Sequence, residues 1–221
     1  MKHILYLTLF VCILLGSCQA NKEPNNLYEE GISLELAQLR KQEIKDLKYS
    51  LRFSIPEQKQ ETVEGETRIQ FTIQKPQEII LDFRESADKV KEVSVNGQPT
   101  EYTFLNEHII LPKSSTIEGK NEVYIRFTAG NQSLNRNDEF LYTLLVPDRA
   151  RTVFPCFEQP NLKAAFTLQL EVPTKWEAVS NTSIASENII NGKKHITFLP
   201  TEPLSTYLFS FVAGKLKKVE Y

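Results

Sequence analysis

The sequence predicts an all-β domain: a large curved antiparallel sheet or β-sandwich with one short N-terminal helix. Three observations predict it. From Leu47 onward, apolar residues recur with period two in short runs. Tight-turn dipeptides, Asn96-Gly97 and Asn191-Gly192, punctuate those runs. No run of strands alternates with helical segments, so a Rossmann or α/β-barrel reading has no support.

The chain opens on MKHILYLTLFVCILLGSC, with Lys2 before an apolar run from Ile4 to Leu15. A bilayer-spanning helix needs about 20 apolar residues; this shorter run with a charged start fits a secretory signal peptide. Its end, Leu15-Gly16-Ser17-Cys18, resembles the bacterial lipobox. Small residues there admit the peptidase, and the thiol of Cys18 takes the lipid. The expectation is a signal peptide over 1–17, a lipidated Cys18, and a polar tether over 18–30. The protein would then sit in the bacterial cell envelope, held to the membrane by that lipid.

Ile32 to Lys45 is the one helical stretch. Ser33 is placed to cap it, and Leu36, Leu39 and Ile44 recur at roughly helical spacing among charges, a surface helix. Next comes a long hairpin. Leu47, Tyr49, Leu51, Phe53 and Ile55 alternate in its first strand, and Val63, Thr67, Ile69, Phe71 and Ile73 in its second. Short strands are predicted at 78–83, 90–95, 101–105, 108–111, 121–128, 164–172, 177–180, 195–199 and 207–212. Residues 130–160 are the least regular stretch, and long irregular segments in compact β domains tend to carry function.

Composition narrows the function. The chain has 221 residues, 41% of them hydrophobic and 24% charged, at net charge −2. That is globular composition, without the basic stripe of a nucleic-acid binder. Three cysteines and three histidines build neither a disulfide scaffold nor a zinc-finger array. No H-E-x-x-H, CxxC, G-x-S-x-G or phosphate loop is present. His108 and His195 lack partners at ligand spacing and read as structural or surface residues. Cys156, between Pro155 and Phe157, reads as a small core hydrophobe. From the residues alone there is no catalytic set and no metal set.

Arg151 to Phe166 reads RTVFPCFEQPNLKAAF. It resembles the N-terminal domain signature of the zinc aminopeptidases of the aminopeptidase N and leukotriene hydrolase type, carried by Arg151, Phe154, Pro155, Cys156, Phe157, Gln159, Pro160, Lys163, Ala164 and Phe166. Glu158 stands where that pattern has aspartate. Leu204-Ser205-Thr206-Tyr207-Leu208-Phe209 resembles the family's later M-S-T-Y-L-x-x-F strand, and Gly65-Glu66 fits its first hairpin. The resemblance covers about 31–221. It implies a β domain that shapes the substrate site and docks a zinc-bearing catalytic domain, the partner covalently joined in full-length relatives. Zinc and its H-E-x-x-H ligands belong to that second domain, so this chain is expected to carry no cofactor, no metal ligand and no catalytic residue, and to be inactive alone. Peptide substrates are expected only for the full enzyme.

In the family, a Gln or Glu about eight to ten residues before the F-P-C-F turn holds the substrate's amino group. The matching window here is Thr143-Leu144-Leu145-Val146, which has neither. Tyr142, Leu144 and Val146 are the substrate-facing or interface candidates that the resemblance implies; their plain reading is core. The segments 140–146 and 155–160 are together expected to form an interface for the catalytic domain. The alternative function is a stand-alone envelope lipoprotein that binds ligands through an aminopeptidase-like β domain.

Overall fold

The computed structural model describes residues 26–217 and 219. The signal segment, Cys18 and the first part of the tether lie outside the described residues. Helix α1 spans Leu34–Glu43, and the Ser33 hydroxyl caps it by accepting the Leu36 N–H at 3.1 Å. Leu36 and Arg40, one turn apart, form its buried face, while Leu39 is exposed. The inward position read as Leu39 thus belongs to Arg40, a charge that is buried because a carboxylate awaits it.

The strands follow in order: β1 (Lys45–Ser54), β2 (Glu64–Ile73), β3 (Ile79–Asp82), β4 (Val90–Val95), β5 (Gln98–Pro99), β6 (Thr103–Leu105), β7 (His108–Leu111) and β8 (Gly119–Thr128). After them come β9 (Leu134–Arg136), β10 (Phe140–Thr143), β11 (Ala165–Pro173), β12 (Glu177–Ser180), β13 (Ile184–Ile190), β14 (Lys193–Phe198) and β15 (Phe211–Gly214). They make three sheets. The eight-stranded one runs β13-β14-β11-β1-β2-β8-β4-β5, the four-stranded one β12-β15-β10-β9, and the three-stranded one β3-β7-β6.

The β1–β2 hairpin pairs Tyr49 with Ile69 and Phe53 with Gly65. Period-two alternation puts Tyr49, Leu51 and Phe53 into the core with Ile69 and Phe71. Asn96 and Gly97, at φ of 52° and 77°, form the left-handed turn their sequence predicts. One pair departs from the antiparallel expectation: β1 and β11 run parallel, Tyr49 opposite Phe166. A parallel pair needs a long crossover, and the chain spends that crossover on β2 to β10, which include the whole three-stranded sheet and half of the four-stranded one.

The irregular stretch 130–160 contains β9, β10 and a 3-10 turn at Ala150–Thr152. The single strand expected over 207–212 is a 3-10 turn, Thr206–Leu208, followed by β15. The Asn181 side chain enforces that break by donating to the Leu208 carbonyl and accepting the Ser210 N–H. One continuous core joins the sheets, centred on a stack of Tyr49, Phe166 and Phe209 with successive centroids 4.8 Å apart.

Candidate functional site

The signature segment begins with Arg151, whose side chain is buried. Its Nη1 lies 2.6 Å from Glu107 Oε2 and its Nη2 3.1 Å from Asp148 Oδ2. Its carbonyl accepts the Arg84 N–H, and Arg84 closes the ring on Glu107 at 2.9 Å. Glu107 sits at φ 68° in the β6–β7 turn, a conformation that costs a non-glycine residue, and two guanidinium groups hold it there.

From Phe154 to Gln159 every residue is buried. Cys156 exchanges backbone hydrogen bonds with Asp82, and the Phe157 N–H donates to the Tyr49 hydroxyl at 2.9 Å. The interface expected over 155–160 is therefore corrected: Pro155 through Gln159 are core, and only Pro160 is exposed. The prolines end regular pairing, and the Phe154 and Phe157 rings beside them pack in the core, Phe154 against Tyr49, Phe53 and Phe209 and Phe157 against Phe71. Burial pushes the Cys156 thiol well above its usual range, with Glu158 and Asp82 adding to it, so the thiolate a nucleophile needs is suppressed.

Asp82 ties this loop to the rest of the domain. Its Oδ1 accepts from Arg40 Nη2 at 2.7 Å and contacts His108 Nδ1 at 2.9 Å. Its Oδ2 accepts from Arg40 Nη1 and from the Glu158 N–H, both at 2.8 Å. Burial alone would raise this carboxyl, but the Arg40 charge and the bonds from His108 and Arg40 outweigh it and hold the group below its usual range. His108 also contacts the Glu29 carbonyl through Nε2 at 2.8 Å. Glu158 accepts the Arg151 N–H at 2.9 Å and the Thr206 hydroxyl, linking the two sequence motifs directly. Every member is engaged by protein groups, so the cluster positions a loop and offers no free base. Sequence reasoning passed over Arg40 and Asp82. The available signal was an aspartate inside the apolar run Ile79–Phe83 and an arginine one helical turn from Leu36.

The accessible candidate surface is the outer face of the four-stranded sheet. Strand β10 alternates: Leu141, Thr143 and, beyond its end, Leu145 point inward, whereas Phe140, Tyr142, Leu144 and Val146 are exposed, Leu144 by 51% and Val146 by 53%. Tyr142 pairs with Val212 of β15, which pairs with exposed Val179 of β12. The Phe140 and Tyr142 rings lie 6.1 Å apart. The structure thus exposes Tyr142, Leu144 and Val146, which corrects their plain core reading, and it sets Tyr142 between Val212 of β15 and the polar Asn135 of β9. Among the described residues no group of three His, Cys, Asp or Glu is placed to hold a metal.

Comparison with known proteins gives a consistent picture. The family model described as the peptidase M1 N-terminal domain matches residues 45–208. Aminopeptidase 2, mitochondrial, of Saccharomyces cerevisiae is 41% identical over 78 residues, 35% of this chain and 8% of the relative. Glutamyl aminopeptidase of Homo sapiens is 37% identical over 75 residues, 34% of this chain and 8% of the relative. The crystal structure of an M1 zinc metallopeptidase from Deinococcus radiodurans superposes with a TM-score of 0.66 at 20% identity, over 78% of this chain and 42% of that one, which shows the shared fold. The chain thus aligns with less than half of that structure, and its aligned segments with a small part of the curated relatives.

Proposed function

The chain belongs to the peptidase M1 N-terminal domain family, and on that premise we propose that it is the substrate-site wall and docking domain of a membrane-anchored zinc aminopeptidase. Its partner is a zinc-binding catalytic domain of the same family, and it is inactive alone. The observation that carries this reading is the exposed apolar row of Phe140, Tyr142, Leu144 and Val179. A contiguous apolar surface on one sheet face marks an interaction site. Leu144 and Val146, in the window where the family holds the substrate amine, would offer an apolar wall in its place. The zinc, held by the partner's ligands, would supply Lewis-acid activation of water; this chain would bound the cleft and exclude solvent. Cys18 would carry the lipid that holds the assembly to the envelope.

The test is direct. The segment bearing H-E-x-x-H, encoded downstream or on a separate chain, is produced, loaded with zinc and titrated with this chain by calorimetry. Saturable one-to-one binding, weakened at least tenfold by Tyr142→Lys with Leu144→Asp, supports the proposal. Absence of binding, or binding indifferent to that variant, overturns it, as does peptide hydrolysis by this chain alone.

A further inference from the structure

The chain holds two Asn-Gly pairs, Asn96-Gly97 and Asn191-Gly192, and their backbones are nearly the same. Both asparagines are left-handed, at φ of 52° and 51°, and the glycines follow at 77° and 75°. Each pair makes the two-residue turn of a hairpin, one between β4 and β5, the other between β13 and β14. All four residues are exposed, and a Cβ built on either glycine would meet no atom within 4 Å. Exposure and turn geometry therefore do not separate them.

The side chains do. Asn96 Oδ1 accepts the Glu122 N–H at 2.9 Å, and its Nδ2 donates to Asn121 Oδ1 at 3.0 Å and to the Ser115 carbonyl at 3.4 Å. Both ends of that amide are thus held by other parts of the chain. The Asn191 side chain makes no hydrogen bond to a described residue. Its turn is tied only through the backbone, where the Thr174 hydroxyl donates to the Gly192 carbonyl at 2.7 Å. A free asparagine side chain before glycine is open to attack by the glycine's own backbone nitrogen, because no Cβ shields that nitrogen.

We propose that Asn191 is a site of spontaneous deamidation, and that its side-chain hydrogen bonds protect Asn96 from the same reaction. The Gly192 nitrogen gives its proton to solvent base and bonds to Asn191 Cγ. The Cγ–Nδ2 bond breaks, and Nδ2 takes a proton from solvent and leaves as ammonia. Water then opens the five-membered imide at either carbonyl, giving aspartate or isoaspartate. Isoaspartate carries the main chain through the former side chain, so a methylene enters a turn whose two-residue length sets the Ile190–Lys193 pairing. Strand β13 pairs only with β14 and buries neither face, so this hairpin end can open without disturbing the core. The inference does not rest on the docking role.

Ageing the 221-residue chain in mildly alkaline buffer with detergent, then mapping its peptides by mass spectrometry, tests the proposal. Amide-to-acid conversion is expected at least tenfold faster at Asn191 than at Asn96 in the folded chain, and at similar rates at both once the chain is unfolded in urea. Hydrogen exchange of the aged chain should quicken in β13 while the melting temperature holds. Asn191→Asp adds the charge without lengthening the main chain, and should leave exchange in β13 as it was. Conversion at Asn96 that keeps pace with Asn191 in the folded chain overturns the proposal, as does an Asn191 that converts only after unfolding. Unchanged exchange in the aged chain, or fast exchange in Asn191→Asp, overturns the argument from chain lengthening.

Discussion

Asp82 and Arg40 meet as a two-pronged pair, Nη2 to Oδ1 at 2.7 Å and Nη1 to Oδ2 at 2.8 Å, with both side chains buried. The same carboxylate takes the Glu158 N–H and His108 Nδ1. One side chain at the end of β3 therefore fixes the helix, the start of β7 and the signature loop together. Arg40 adds a third bond, from Nη2 to the Ile80 carbonyl at 2.6 Å, and its guanidinium lies over the Phe157 ring.

Removing one partner leaves the other charge buried and unpaired. Asp82→Ala is expected to cost about 3–5 kcal/mol. At this chain length that lowers the melting temperature by roughly 6–20 °C. Arg40→Met should cost a similar amount, and the double variant much less than the sum of the two, because the residues share one interaction. Strict additivity in a thermal or urea cycle would show that the pair is not coupled.

The two buried carboxyls of the site titrate in opposite senses. Asp82 is lowered in the fold from a usual value of 3.8, so its stabilisation is present above about pH 3.8 and lost as pH falls through the folded value. Glu158 is raised from 4.5, chiefly by burial, against the opposing bonds from Thr206 and Arg151. Its contribution is fully present below 4.5 and declines as pH rises through the raised value. Glu158→Gln keeps an acceptor for the Arg151 N–H and carries no charge. The variant should lose that decline, gaining stability relative to wild type as pH rises from 4.5 toward neutrality. Parallel stability curves for the two proteins over that range would refute the assignment.

Much of this fold was legible because most strands bury one face. Strands β4, β7 and β12 fall on the ranges their sequences predict, since alternation or a short apolar run is bounded by turn residues. Strand β13 escaped because it buries neither face, so Ile189 and Ile190 alternate with nothing. Strands β9 and β10 escaped because the segment is short and asparagine-rich, and its register is set by β15 rather than by its own pattern. The parallel β1–β11 pair is a property of topology, which local periodicity does not encode. The signature was legible as a motif and Cys156 as a core residue, but not the burial of the whole loop: that depends on Asp82 and Tyr49, distant in sequence, meeting its backbone N–H groups.

Gly65 marks a close approach inside the first hairpin. A Cβ there would lie 2.4 Å from Phe127 Cζ, and Phe127 is itself fully buried against Phe53 and Phe83. Gly65→Ala should overpack the core and cost about 1–3 kcal/mol. Gly65→Ala with Phe127→Leu should recover part of that loss in the same denaturation assay. A single variant as stable as wild type would mean the ring has room to move.

The proposed lipidation at Cys18 predicts a change of compartment. Cys18→Ala should shift the chain from the membrane to the soluble fraction of cells, and labelled palmitate should no longer be incorporated. A variant that stays with the membrane while its leader is cleaved elsewhere would remove the anchor from the proposal.

Neighbouring leucines separate the exposed face of β10 from the core. Leu144 is 51% exposed and Leu145 is 2% exposed, because successive side chains of an extended segment point to opposite faces. Leu145→Asp would bury a charge with no partner in the main core cluster, at a cost of several kcal/mol or an outright failure to fold. Leu144→Asp puts its charge in water, where surface substitutions typically change stability by less than about 0.5 kcal/mol. The same change interrupts the apolar surface shared with Tyr142 and Val179, so solubility should rise and hydrophobic-dye binding should fall. Thermal melting and dye binding, measured together on the two single variants, decide the matter. A marked loss of stability in Leu144→Asp would make this leucine a core residue and leave the proposed docking surface without its central contact.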